Sequence, residues 1–274
     1  MPGLALNVAY FRTWYSNFAV TDNLAVTPAD YNPYCITAPV DSRLPGGGNQ
    51  ICGLYDITPA QFGKIDNLVS QASHYGKQTE VYNGVDVTIN ARFGAGTVLS
   101  GGLSTGRTVT DNCAVLVDSP QHRFCHVTLP FSAQTQFKLS GAYGLPWDVQ
   151  ASATYQNLPG IPITSSYVAT NAEIRPTLGR NLGQCGTSAT CNATATIDLI
   201  EPNTIFEDRI RQIDFRLSKA FKVGRARLQG QFDIFNAFNA SPILAENTRF
   251  GASWQQPTQI LGARLFKFGA QLNF

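Results

Sequence analysis

The chain has 274 residues and contains no apolar run approaching the roughly 18 to 20 residues that a membrane helix needs, which excludes a helical membrane protein. Its charged fraction is 14%, its aromatic fraction 11%, and its net charge of +2 comes from scattered basic residues. That balance lacks the Lys and Glu coat of ordinary soluble helices, and it gives no support to an electrostatic nucleic-acid surface.

Taken in chain order, apolar and polar residues alternate with period two along eight stretches, predicting an all-β protein of antiparallel up-and-down strands. The first stretch covers about 4–21. The second, 81–93, sets Val85, Val87, Ile89, Ala91 and Phe93 on one face and Asp86, Thr88, Asn90 and Arg92 on the other. The turn Gly94-Ala95-Gly96 leads into a third strand reaching about residue 110, where Leu99 and Leu103 oppose Ser100, Gly102 and Ser104. In the fourth, 132–144, Phe137, Leu139 and Tyr143 stand against Gln136, Lys138 and Ser140. Leu145-Pro146-Trp147 turns it into the fifth, where Val149, Ala151, Ala153 and Tyr155 oppose Gln150, Ser152 and Thr154. The sixth alternates Ile213, Phe215 and Leu217 with Asp214, Arg216 and Ser218; after the turn 222–225 the seventh sets Leu228, Phe232 and Ile234 against Arg227, Gln231 and Asp233. The eighth, 261–274, ends on Phe266, Phe268, Ala270, Leu272 and Phe274, backed by Lys267, Gly269, Gln271 and Asn273.

Short turns alternate with long segments, 22–78, 111–131, 159–209 and 239–258, so the long loops gather at one end of the sheet. Outer-membrane barrels follow this rule, with long loops outside the cell and short turns in the periplasm. Strands of about 11 to 18 residues exceed the usual five or six and suit a tilted membrane crossing, which favours a transmembrane barrel over a soluble β-sandwich. The expectation is one barrel, or barrel segment, over 1–274 in a bacterial outer membrane. Its apolar faces meet lipid, and Asp86, Arg92, Lys138, Asp214, Arg216, Arg227 and Asp233 form a wetted lumen wall. Trp14, Tyr15, Phe93, Tyr143, Trp147 and Phe221, near strand ends, fit interfacial girdles, and each taken singly fits a turn-packing residue equally well.

Six cysteines fall as three sequence-local pairs inside loops: Cys35 with Cys52, Cys113 with Cys125, and Cys185 with Cys191. Other pairings remain open, with the within-loop set favoured, and disulfides imply an oxidising compartment. Met1-Pro2-Gly3 opens no signal-peptide pattern. The chain therefore reads as a protein whose signal has been removed or as the C-terminal piece of a longer one.

Several segments carry a family resemblance. They are Tyr10-Phe11-Arg12-Thr13-Trp14-Tyr15 leading to Thr21-Asp22-Asn23, Asn83-Gly84-Val85-Asp86-Val87, Ser104-Thr105-Gly106-Arg107-Thr108, Asp233-Ile234-Phe235-Asn236-Ala237-Phe238-Asn239, and Gln259-Ile260-Leu261-Gly262-Ala263-Arg264. In this order, before a terminal Phe, they resemble the C-terminal part of a TonB-dependent outer-membrane receptor, of the type with an N-terminal carboxypeptidase-regulatory-like domain. The resemblance implies a barrel of about 22 strands around a plug, of which this chain supplies the last third. It also implies active uptake of a scarce solute without catalysis, and contact with TonB only through N-terminal parts outside this sequence. Phe266, Phe268, Leu272 and Phe274 become the signal read by the barrel assembly machinery. The competing expectation is a stand-alone eight-stranded barrel with a structural or adhesive role, displaying disulfide-closed loops.

Chemistry-bearing clusters are few. Cys113, His122, Cys125 and His126 are of zinc-binding type, but a disulfide across that loop is the better reading, so no metal and no cofactor is expected. No nucleophile, base and acid set is found, and Gly46-Gly47-Gly48 lacks the Lys and following helix of a phosphate cradle. Asp233 and Asn236 in the seventh strand, with Arg216 and Arg227 nearby, read either as lining a solute path or, better, as an interior salt-bridge lattice. Tyr31, Tyr34, Tyr55, Phe62 and Tyr167 offer aromatic surface for ligand capture in the long loops, or pack against one another there; the substrate itself is not legible.

Overall fold

The computed structural model describes residues 3–274. Strands hold 53% of the chain and helices 10%. Eight long strands carry the architecture: β1 (Leu4–Tyr15), β2 (Thr79–Phe93), β3 (Thr97–Asp111), β4 (Gln136–Leu145), β5 (Val149–Leu158), β6 (Ile210–Val223), β7 (Ala226–Phe235) and β8 (Leu265–Asn273). Each pairs antiparallel with its neighbours in sequence, giving the order β1-β2-β3-β4-β5-β6-β7-β8, and a short strand, His126–Leu129, adds to the end of β3. Among the described residues β1 and β8 each pair on one side only, so the sheet is open.

Register turns strand-by-strand alternation into two continuous faces, because a slip of one residue would move every side chain to the other side. Val8, Val87, Leu103 and Phe137 are successive partners across β1 to β4, and Ala151, Leu217, Phe232 and Phe268 across β5 to β8. The opposite face runs Asn90, Ser100, Ser140, Thr154 and Asp214. Among the described residues the apolar face has no cover: Val8 is 67% exposed and Phe268 79%.

The buried core lies elsewhere. Of the buried hydrophobic residues among the described ones, only Ala91 belongs to the eight long strands. The core cluster is built from the long connections: Tyr34, Ile36 and Leu54 of the ribbon Tyr31–Thr37 and Gln50–Ile57, Ala169 and Ile197 of the ribbon Ser166–Thr170 and Thr194–Asp198, Ile174 and Leu178 of the helix Asn171–Leu178, and Trp254. That helix starts where Thr170 and Glu173 form a reciprocal capping box and stops at Gly179, whose φ of +77° suits a left-handed C-cap. Ile174 and Leu178, four residues apart, share its inward face.

Several boundaries differ from the sequence reading. The first strand stops at Tyr15 rather than running to residue 21, because Asn17 takes φ +59° and the chain leaves to pair Ala19–Asn23 with Asn67–Gln71. The fourth starts at Gln136 rather than 132, where Pro130 precedes the short helix Phe131–Gln134. The eighth starts at Leu265 rather than 261. The expected alternation holds: 94–96, 146–148 and 224–225 turn at one end, and 16–78, 112–135, 159–209 and 236–264 connect at the other.

Candidate functional site

All seven residues predicted for the lumen wall stand on the polar face, each at an even register step from the others on its strand. Their partners differ. Asp233 is nearly buried and accepts from Arg216 Nε at 2.5 Å and Nη2 at 3.1 Å, with Lys267 as its register partner on the other side. Asp86 accepts from Ser104 Oγ at 2.6 Å, and Asp214 accepts from Gln212 Nε2 and from the Asn236 backbone N–H. Lys138 lies between Gly102 and Gln156, whereas Arg92 and Arg227 have no ion pair among the described residues. The Tyr82 ring lies flat across two glycines paired between strands, Gly84 and Gly106; a Cβ at Gly106 would stand 2.6 Å from Tyr82 Cζ. The face is thus a wall of hydroxyls, amides and charges, of which Asp233 is paired with Arg216.

Asn236 belongs to a corner rather than to the seventh strand. It follows β7 with φ +49°, is 3% exposed, donates to the carbonyls of Ala240 and Gly262, and accepts from the Ala240 N–H. Asn239, at φ +54°, accepts from the Arg264 N–H. The two asparagines therefore tie the start of the last long connection to its end.

The apolar face has a defined height. On β2 it runs from Val85 to Phe93, about 27 Å of extended chain, close to what a tilted membrane strand needs. Above Val85, on the long-connection side, the row Arg12, Asn83 and Arg107 interrupts it. At the short-turn side Phe93, Tyr143, Trp147 and Phe221 are exposed; Trp14 and Tyr15 are exposed at the other.

The three cysteine pairs are disulfides as read from the sequence, Cys35–Cys52, Cys113–Cys125 and Cys185–Cys191. Cys113 and Cys125 therefore offer no thiolates. His126 Nδ1 lies 3.1 Å from Asp111 Oδ2, and among the described residues no three His, Cys, Asp or Glu converge as metal ligands.

The chain matches no protein-family model and no curated protein.

The five loop aromatics divide. Tyr34 is buried in the core of the connections, and its burial raises the phenol pKa. Tyr167 packs edge-on to Phe250 at 5.8 Å and donates to Glu173; that bond, with burial second, pushes its phenol up to about 12. Tyr31 and Tyr55 are half-buried, and Phe62 is exposed. Asp41 is held down to about 2 by hydrogen bonds from Arg43, whose guanidinium also donates to the Trp254 carbonyl at 2.6 Å and lies over that ring. Glu246 is the opposite case: its carboxylate oxygens are buried without partners, and burial, then the neighbouring Glu207, raises its pKa.

Sequence reasoning missed the arginines that staple this assembly. Arg180 donates to Asn32 Oδ1, Asp56 Oδ2 and the carbonyls of Asp56, Ile57 and Asn181. Arg209 ties Asn157 at the end of β5 to the carbonyls of Ser132 and Thr135. No local signal identifies them, since every partner but Asn181 lies at least 50 residues away. The helix Asn171–Leu178 was also missed within the segment read as a long loop, although the capping box Thr170-x-x-Glu173 is a local signal that announces it.

Proposed function

We propose that the chain is a wall segment of a TonB-dependent outer-membrane transporter. In this reading it serves uptake of a scarce solute, catalyses nothing and needs no cofactor of its own. The observation that carries the membrane part is the uncovered apolar face, continuous through eight strands and backed by a hydrogen-bonded polar face. In water such a face is far larger than a soluble monomer exposes; in a bilayer it is the lipid contact. The transporter part rests on the family resemblance of the strand motifs, and the long connections, with their own core and three disulfides, suit the extracellular side. Phe266, Phe268, Leu272 and Phe274, all exposed on β8 or at its end, are the proposed contact with the barrel assembly machinery.

The open sheet favours the segment over the stand-alone eight-stranded barrel. Two unpaired edges are not tolerated in lipid, so β1 and β8 require further strands or each other. Refolding the chain with phosphatidylcholine vesicles and following amide exchange separates the readings. A wall segment embeds only as copies joined through the edges of β1 and β8, so protection of those edge amides rises with chain concentration; a closed small barrel protects both edges at any concentration. A chain that stays in the aqueous phase refutes the membrane reading altogether.

A further inference from the structure

Arg12, Asn83 and Arg107 form one cross-strand row on the apolar face of β1, β2 and β3. The two arginine backbones stand two strand spacings apart, about 10 Å. Both side chains are exposed, and among the described residues neither has an ion-pair partner. The acids of these strands are committed elsewhere: Glu80 and Asp86 stand on the opposite face, and Asp111 meets His126. Between the arginines, Asn83 accepts from the Tyr10 hydroxyl at 2.8 Å, which leaves its amide N–H groups as donors. Tyr10 and Trp14, both well exposed, flank Arg12 two residues away on the same face.

Resting on the membrane reading above, we infer that this row binds the phosphate of an anionic lipid headgroup in the leaflet on the long-connection side. The depth fits, since the row begins where the apolar band ends and sits beside aromatics of the kind that occupy headgroup level. The chemistry fits, since two guanidinium groups and an amide present only donors, and guanidinium binds phosphate oxygens in a bidentate fork. The acyl chains of such a lipid lie along Val85, Val87 and Leu103 directly below.

The test reconstitutes the 274-residue chain in phosphatidylcholine vesicles with and without phosphatidic acid and counts retained lipids by native mass spectrometry. Phosphatidic acid is preferentially retained, and the preference falls roughly thirtyfold in R12Q/R107Q and about fivefold in each single variant, at about one basic contact apiece. R225Q, in the short turn between β6 and β7, leaves it unchanged. Equal retention of the two lipids, or an undiminished preference in the double variant, overturns the inference while leaving membrane insertion intact. Displacement by inorganic phosphate alone also overturns it, because the site is then for free phosphate. Failure of the chain to insert removes the membrane reading and this inference together.

Discussion

Replacing Arg180 with Met removes a guanidinium that meets one carboxylate, one side-chain amide and three backbone carbonyls at 2.5 to 3.1 Å. Asp56, whose side chain is 14% exposed, then keeps one donor, the Gly183 N–H at 2.8 Å. Breaking a buried pair from one side costs about 3 to 5 kcal/mol. Water reaches this pair, with Arg180 itself 22% exposed, which lowers the expectation to about 2 to 3 kcal/mol. The loss falls on the contact between the helix Asn171–Leu178 and the ribbon Tyr31–Thr37 and Gln50–Ile57. Amide exchange mapped by mass spectrometry should therefore quicken about 30-fold to 150-fold in those segments and remain unchanged in β2 and β3. Arg180→Lys should recover less than half, since one ammonium cannot reach acceptors spread around a planar fork. Equal loosening of the sheet, or unchanged exchange in the ribbon, would refute the assignment of Arg180 as the staple.

Gly106→Val drives a side chain into the Tyr82 ring and should cost about 1 to 3 kcal/mol, read as lower refolding yield in detergent; adding Tyr82→Ala should return most of it, and an additive double variant would show that the ring is not the obstacle. Asp41 has a folded pKa of about 2 against an unfolded value near 4, so its contribution is present above about pH 4 and lost as pH falls through about 2. Tryptophan emission, through the Arg43 contact on Trp254, should report that step in the native chain and lose it in Asp41→Asn. Replacing Cys35 and Cys52 by Ser opens a loop with a sequence separation of 17 and should destabilise the ribbon by about 3 kcal/mol, seen as faster exchange confined to residues 31–57.

The sheet was legible because period two is a local property: the residues that place Arg216 opposite Asp233 are the ones whose neighbours alternate, and pairing with sequence neighbours leaves little topology to choose. The disulfides were legible for the same reason of proximity. What escaped was every contact between long connections. Tyr34, Ile174 and Trp254 share one core although they lie in three separate connections, and nothing in each segment announces the other two. Strand ends failed where an asparagine takes a left-handed turn, as at Asn17, since alternation continues past the point where pairing stops. Asn236 was misplaced similarly: its corner is set by carbonyls at Ala240 and Gly262, and Gly262 is 26 residues on.

The buried core lies in the connections with almost none in the sheet, so on the membrane reading proposed above the two halves of the molecule answer to different solvents. Water alone supplies the drive for the part built on Trp254, Ile174 and Tyr34, and oxidation can lock it there. In that reading the strands gain from lipid what that part gains from expelling water. Transfer from an aqueous to an apolar medium is therefore a folding signal for one half and nearly indifferent to the other, and the cysteine-closed connections can be finished parts before the strands that carry them are seated.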